Sequence, residues 1–508
     1  MTTGHASRRT VVVEFAGARG GEAPLTWGQS SIWRLTTWRA EGDPYFNISW
    51  TLPVYGRRDL EAVLGAVRRL FERHETLRTN FRQGPEGMTQ HVARTGRVMV
   101  EVVEVGEAGG LFRPMTVARE LAGRLAAEVF DYAVELPVRC AVVMVGGRPR
   151  AVAFGLSHLA VDGGALDLLA ADWRDLLAGC EGPDPVWQPM DQALFEREGP
   201  GAARGERAFR HWRGVLERAP GSMFDYPPYP AEEPRFIRVR MESVALGVAA
   251  DTLAARWRVS SASVLTTASA VLLSALTGHR RIAMQLIAAN RHDARIGGLV
   301  GPAAQDGIFA LDLPGGTLAE ATRVGHRQAL TGYQHALYEP FEMMELRAEL
   351  GRERGGPIDL SAYFNDARST GDWPELPAVE PPGDPAAIAA LTERTTFSLT
   401  GSWTEVDATA QFATGQARHT CELSLLADTA YLPRATVHAL LRAMETLLVR
   451  AVAEDVPLDT VAALCDLTPV ERPDGWDRSA PDPVPAEAGE TAWAPTSSGP
   501  VAAGTADR

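Results

Sequence analysis

The chain has 508 residues, 45% of them hydrophobic and 22% charged, with a net charge of −14. That length exceeds what one hydrophobic core usually absorbs, so two lobes are expected. The acidic balance lacks the basic field that phosphate binding needs, which excludes a general nucleic-acid binder, and an acidic surface does not attract anionic lipid. Cys140, Cys180, Cys421 and Cys465 stand far apart without CxxC spacing, so neither a zinc knuckle nor a disulfide framework is indicated. Four free thiols in a reducing cytosol are expected. Met1 to Thr10 holds two arginines but no apolar core of signal-peptide length, and no stretch of about twenty apolar residues occurs. A cytoplasmic chain without a membrane span follows.

Residues 1–23 are rich in Gly and Arg and read as a flexible segment, with order from Pro24. From Asp59 the spacing of Leu60, Val63, Leu64, Val67, Leu70 and Phe71 predicts an amphipathic helix. Val138–Val145 and Ala151–Leu156 are rich in β-formers around a Gly146-Gly147 turn, a hairpin pattern whose second strand runs into Ser157-His158. After Gly163-Gly164 the period changes, and Leu166, Leu169, Trp173, Leu176 and Leu177 fit one helix face. His158 therefore falls on a strand-to-helix connection, where functional side chains are commonly exposed. Cys180 to Pro189 reads as a linker, which divides the chain into lobes at 24–182 and 183–468. The second lobe opens with a helical stretch near Phe209–Leu216 and a Pro-rich loop at Tyr226–Pro234. Strands and helices then alternate to a helix face of Val437, Leu440, Leu441, Met444, Leu447 and Leu448. Residues 469–508 are dominated by Pro, Ala, Gly, Ser and acids and are expected to be disordered, because they cannot bury enough apolar surface to offset the entropy of ordering.

The segment Ser157-His158-Leu159-Ala160-Val161-Asp162-Gly163 holds the candidate chemistry. An imidazole, with an unperturbed pKa of about 6.5, can accept a proton near neutral pH. An amine or alcohol must lose one when it attacks an acyl carbonyl. Gly163 and Gly164 admit close backbone approach, and free N–H groups at the start of the following helix could stabilise an oxyanion. Asp162 could orient the imidazole as in a triad, or could hold the loop through a buried ion pair. The ion pair is preferred, because a buried carboxylate needs a partner. His, Asp and Gly at this spacing also arise by chance, so the pattern is not specific alone. No HxH, HExxH, GxGxxG or P-loop pattern appears, so neither a metal site nor nucleotide chemistry is indicated.

The segment resembles HHxxxDG, the core motif of nonribosomal peptide synthetase condensation domains, and HxxxDG of the wider chloramphenicol-acetyltransferase-like superfamily. Further stretches resemble the family's motifs in order. They are Leu25–Trp33, Arg73–Phe81 (RHETLRTNF against RHExLRTxF), Ala208–Arg213, Asn290-Arg291 with Gly298–Pro302, and Tyr333–His335 with Pro340–Glu342. The resemblance implies an α/β fold of two chloramphenicol-acetyltransferase-like lobes in a V-shaped pseudo-dimer, with the active site in a tunnel between them. It implies His158 as base or positioning residue, Gly163 beside the tetrahedral intermediate, and Asp162 paired with Arg78. Ser157, Gly164, Gln305 and Asp306 are expected along the substrate channel. Two departures stand out: Ser157 replaces the first histidine of HHxxxDG, and Ala303-Ala304-Gln305-Asp306 stands where the family continues FVNT. Gln305 is expected to stand in for that asparagine's amide. His74 is expected to be packed or capping, and His335 to lie at the surface or in packing.

The implied activity is amide or ester formation, with an acyl or aminoacyl group passing from a carrier-protein phosphopantetheine thioester to an amine or hydroxyl acceptor. No cofactor is expected to be bound. No adenylation or carrier module follows in the sequence, so a free-standing monomer that meets an acyl or peptidyl carrier protein in trans is expected. The alternatives are a coenzyme-A-dependent acyltransferase, an epimerase of aminoacyl carriers, and a non-catalytic module that recruits a carrier protein or an oxygenase.

Overall fold

The architecture is that of a computed structural model describing residues 7–38, 43–84, 87–106, 113–368, 384–417 and 420–473. The chain divides into two units. Among the described residues, the first comprises everything up to Ala203 together with 289–304, and the second comprises Arg204–Ala288 and the residues from Gln305 onwards.

The first unit begins earlier than the composition suggests. From Ser7 to Ala16 the exposed Arg8, Thr10, Val12 and Glu14 alternate with a face on which Val13 and Phe15 are buried. That period of two makes strand β1 (Ser7–Ala16). The segment expected to be flexible is thus ordered from Ser7, because its apolar residues alternate correctly; residues 1–6 lie outside the described residues. The other elements of this unit are β2 (Gly21–Pro24), α1 (Trp27–Trp38), β3 (Asn47–Pro53), α2 (Leu60–Arg73), β4 (Thr79–Gly84), β5 (Gly87–Val92), β6 (Thr95–Val105), α3 (Arg113–Ala126), β7 (Val138–Val145), β8 (Arg148–Ser157), α4 (Gly163–Ala178) and α5 (Pro189–Arg197). The main sheet has the order β1-β6-β7-β8-β3, with β6 and β7 parallel and the remaining pairs antiparallel. Gly146 and Gly147, at φ 57° and 74°, make the β7–β8 turn that the paired glycines predict. On one face, Val63, Val67, Leu70 and Phe71 of α2 and Leu169 and Trp173 of α4 pack with Val100, Val142, Val152 and Phe154. On the other, Ala118, Leu121 and Ala122 of α3 pack with Ala141, Val143, Ala151 and Ala153. The strands β2, β5 and β4 form a small separate sheet.

The boundary expected at residue 182 lies instead after Ala203. The Pro-rich stretch leads into α5, whose Glu196 carboxylate accepts the Trp27 N–H at the start of α1 (2.7 Å), while Gln188 Nε2 donates to the Arg73 carbonyl (2.8 Å). These bonds hold the supposed linker to the first unit.

The second unit starts within α6 (Gly199–Leu216) and continues with β9 (Phe236–Ser243), α7 (Val244–Trp257), α8 (Ser261–Thr277) and β10 (Arg281–Ala288). The chain then returns to the first unit for 289–304, which includes the short α9 (Ala294–Gly297). Next come β11 (Gln305–Asp312), α10 (Leu318–Gln334), α11 (Pro340–Glu353), β12 (Ala362–Asp366), α12 (Pro385–Ala390), β13 (Thr396–Trp403), β14 (Ala410–Ala417), β15 (Thr420–Asp428) and α13 (Arg434–Ala453). Its sheet has the order β11-β10-β12-β14-β15-β9-β13 and is mixed, with β12 parallel to both neighbours. α7, α8 and α13 cover one face with a continuous apolar core. Order persists past 469, since the Val470 N–H bonds the Leu276 carbonyl (2.8 Å) and Arg472 pairs with Asp225; the rest of the expected tail, 474–508, lies outside the described residues. Among the described residues no single helix is long and apolar enough to cross a membrane; α7 and α8 meet that test only as a pair bent by 105°.

Candidate active site

Strand β8 ends at Ser157, still paired with Asn47 of β3, and the Ser157 N–H donates to the Pro137 carbonyl (2.9 Å). The His158 N–H donates to Phe46 (3.0 Å), and the Ala160 N–H turns back onto Ser157 (3.0 Å). The turn ends where Asp162, in extended conformation, caps α4 by accepting the Ala165 N–H (2.8 Å). Two side chains of the Arg73–Phe81 motif brace it. The Thr76 hydroxyl donates to the Ala160 carbonyl (2.6 Å), and His74 Nε2 meets Asp172 of α4 (2.6 Å). Burial lowers the His74 pKa although Asp172 opposes the shift, so this histidine is a packed strut.

The His158 ring is buried, 1% exposed. Desolvation pushes its pKa down to about 4; backbone hydrogen bonding at His158 and Val161 and the charge of Asp162 recover only part of the loss. The imidazole is neutral at neutral pH. Gly163 and Gly164 open α4, and their N–H groups have no hydrogen-bond partner among the described residues.

Asp162 pairs with Arg291, 2.5 Å away, and not with Arg78. Its other oxygen accepts the N–H groups of Ala303 (2.8 Å) and Ala304 (3.2 Å). Burial alone would raise its pKa, but Arg291 and the Ala303 and Ala165 amides override that and hold the carboxyl below its ordinary value. Arg291 also donates to the carbonyls of Leu299 (2.7 Å) and Gly301 (3.0 Å). The pair therefore fastens 289–304 to the start of α4. Arg78 is equally buried, but its guanidinium is spent on the carbonyls of Phe71 (3.0 Å), Arg19 (2.7 Å) and Ala93 (2.6 Å). Backbone carbonyls take its hydrogen bonds, and the charge of the nearby buried Glu75 favours its ionised form against burial.

Other expected positions have local duties. A Cβ on Gly164 would lie 2.1 Å from Arg291 Nε, so its bareness accommodates the ion pair; nothing lies within 4 Å of the same point on Gly163. The Ser157 hydroxyl joins the Tyr132 hydroxyl (3.1 Å) to the Leu159 N–H (3.1 Å) inside the turn. Gln305 and Asp306 belong to the second unit and open β11. The Gln305 amide is engaged at both ends by Tyr338, donating to its carbonyl (2.9 Å) and accepting its N–H (3.4 Å), so it ties strand to loop. Asp306 is buried and faces Ile287 across the ladder. His335 bonds the Thr331 carbonyl (2.8 Å) and stacks on His211, with centroids 4.4 Å apart. Sequence reasoning missed Arg291, Thr76 and Tyr132 as supports of the turn. The signal for Arg291 was its place beside Asn290 in a motif stretch. Among the described residues no group of three His, Cys, Asp or Glu side chains is placed to hold a metal ion.

The molecule thus consists of mixed-sheet α/β units, the first of which carries a buried histidine between a strand and a capped helix. Residues 20–303 match the family model described as Condensation domain, and the chain belongs to that family, whose general reaction is amide- or ester-forming condensation. A dimodular nonribosomal peptide synthase of Bacillus subtilis (strain 168) is 29% identical over 307 residues, 56% of this chain and 12% of its own length. The chain thus spans about an eighth of that relative. Among solved structures, the condensation domain of the monacolin K polyketide synthase MokA superposes with a TM-score of 0.65 at 17% identity, over 86% of this chain and 99% of that one. The X-domain in its complex with OxyB from teicoplanin biosynthesis gives 0.63 at 18%, over 88% and 97%. At such identities these likenesses speak for the fold.

Proposed function

We propose that the protein transfers an acyl or aminoacyl group from a phosphopantetheine thioester on a carrier protein to an amine or hydroxyl acceptor, with His158 at the reacting atoms. The observation that carries this reading is the neutral, buried imidazole followed by two amides at the start of α4 that have no partner among the described residues. The acceptor nitrogen or oxygen forms a bond to the acyl carbon while its proton moves towards the imidazole. The oxyanion so formed is stabilised by the amides of Gly163 and Gly164. When the C–S bond breaks, the sulfur leaves and takes the proton from the imidazole. Asp162 takes no proton; its lowered pKa keeps a fixed negative charge near the ring.

A pKa of about 4 makes His158 a weak base. That favours an acceptor that is already nucleophilic without deprotonation, so an amine stands ahead of an alcohol. The test is to offer one acyl group on a carrier protein and on coenzyme A, each with an amine and an alcohol, and to follow products by mass spectrometry. The carrier thioester with the amine is expected to turn over fastest. Preference for the coenzyme A thioester would replace the proposed donor, and product only with the alcohol would replace the proposed acceptor.

A further inference from the structure

Strand β1 has β6 as its one neighbour in the sheet among the described residues, leaving a ten-residue edge. The Gly17 N–H donates to the Arg94 carbonyl (2.8 Å), and the ladder runs without a shift from Ala16 opposite Thr95 to Ser7 opposite Glu104. Odd-numbered residues of β1 therefore bond β6, and the N–H and C=O groups of Arg8, Thr10, Val12 and Glu14 point out of the sheet. The next group in that series confirms the direction, since the Ala16 N–H is taken by Glu72 from outside the ladder (3.3 Å). The side chains of the same four residues are exposed. Val12 and its cross-strand neighbour Met99 form an apolar pair, 49% and 54% exposed.

We propose that β1 pairs antiparallel with β1 of a second copy of this chain, about a two-fold axis at Val11. Outward-facing residues must meet outward-facing residues, so only registers that keep even numbers opposite even numbers are open. Centring on Val11 sets Arg8 opposite Glu14 and Thr10 opposite Val12, each twice by symmetry. Centring on Thr10 or on Val12 leaves both charges without an opposite partner. In the chosen register Glu14 lies between Arg97 of its own copy and Arg8 of the other, and Val12 lies between Met99 and Thr10 of the other. Arg8 is available for this role, since it reaches Glu101 only at 3.7 Å and is 56% exposed. The pairing supplies hydrogen bonds to an edge that has no strand partner on its outer side among the described residues, and it covers the Val12–Met99 pair. It departs from the expected monomer and is independent of the proposed chemistry.

Sedimentation velocity of the full chain across a concentration series tests this. A reversible dimer is expected. Glu14→Arg and Arg8→Glu should each raise its dissociation constant about tenfold, and the double variant should restore it. Thr10→Pro removes an outward N–H without touching the β1–β6 bonds and should also weaken the dimer. A monomer throughout the series overturns the proposal, and so does a dimer indifferent to both Glu14→Arg and Thr10→Pro.

Discussion

At the residue scale, Asp162 stands at the centre. Its carboxylate is buried, and removing Arg291 leaves that charge uncompensated, which typically costs about 3–5 kcal/mol. Arg291→Ala and Asp162→Asn should therefore couple by about 1–3 kcal/mol in denaturant unfolding, whereas Arg78→Ala and Asp162→Asn should add to within about 0.5 kcal/mol. Strong coupling to Arg78 instead would reverse the assignment. The motif letters located His158 and Asp162 but not the partner. Arg78 and Arg291 both sit in motif stretches, and Arg291 is 129 residues away from Asp162. Only the return of 289–304 to the first unit decides between them, and hydropathy periodicity carries no information about that path. His158 adds a pH signature. Its folded pKa of about 4 lies below the ordinary value, so the unfolded chain binds a proton that the folded chain does not. The resulting stability is fully present above about pH 6.5 and is lost as pH falls through about 4. His74, also lowered, acts in the same direction. The slope of unfolding free energy against pH should be positive across that window and flatter in His158→Gln; an unchanged slope would mean a hydrated imidazole.

At the element scale, the start of α4 separates two glycines that look alike in sequence. Gly163→Ala meets open space, keeps its N–H and should fold normally, so any loss of rate reports on the methyl group crowding the substrate. Gly164→Ala drives a methyl into Arg291 and should cost about 1–3 kcal/mol by thermal or denaturant unfolding. Equal behaviour of the two variants would contradict the packing. The β7–β8 hairpin, α2, α4 and α13 were legible because their apolar residues repeat at the right period and because paired glycines mark the turn. β1 was not, because Gly and Arg make up seven of the first 23 residues and read as a loose segment, while the alternation of Val11, Val13 and Phe15 occupies only a few positions.

At the scale of the whole molecule, two units follow from length and patterning, but their division does not. A Pro-rich stretch looks like a linker whether or not its neighbours hold it, and here Glu196 and Gln188 bind it to the first unit. The crossing of 289–304 into the first unit is likewise invisible to composition, although it delivers Arg291 and the Ala303 and Ala304 amides to Asp162. The family was legible through ordered motifs, and the proposed acyl transfer rests on one side chain, His158. The most direct measurement is single-turnover product formation, by mass spectrometry, from a carrier-bound acyl thioester and an amine, comparing the wild type with His158→Ala of matched melting temperature. Product from the wild type, formed about 10²–10⁴-fold more slowly by the variant, is the expected result. Equal turnover by the two proteins would contradict the assignment of His158.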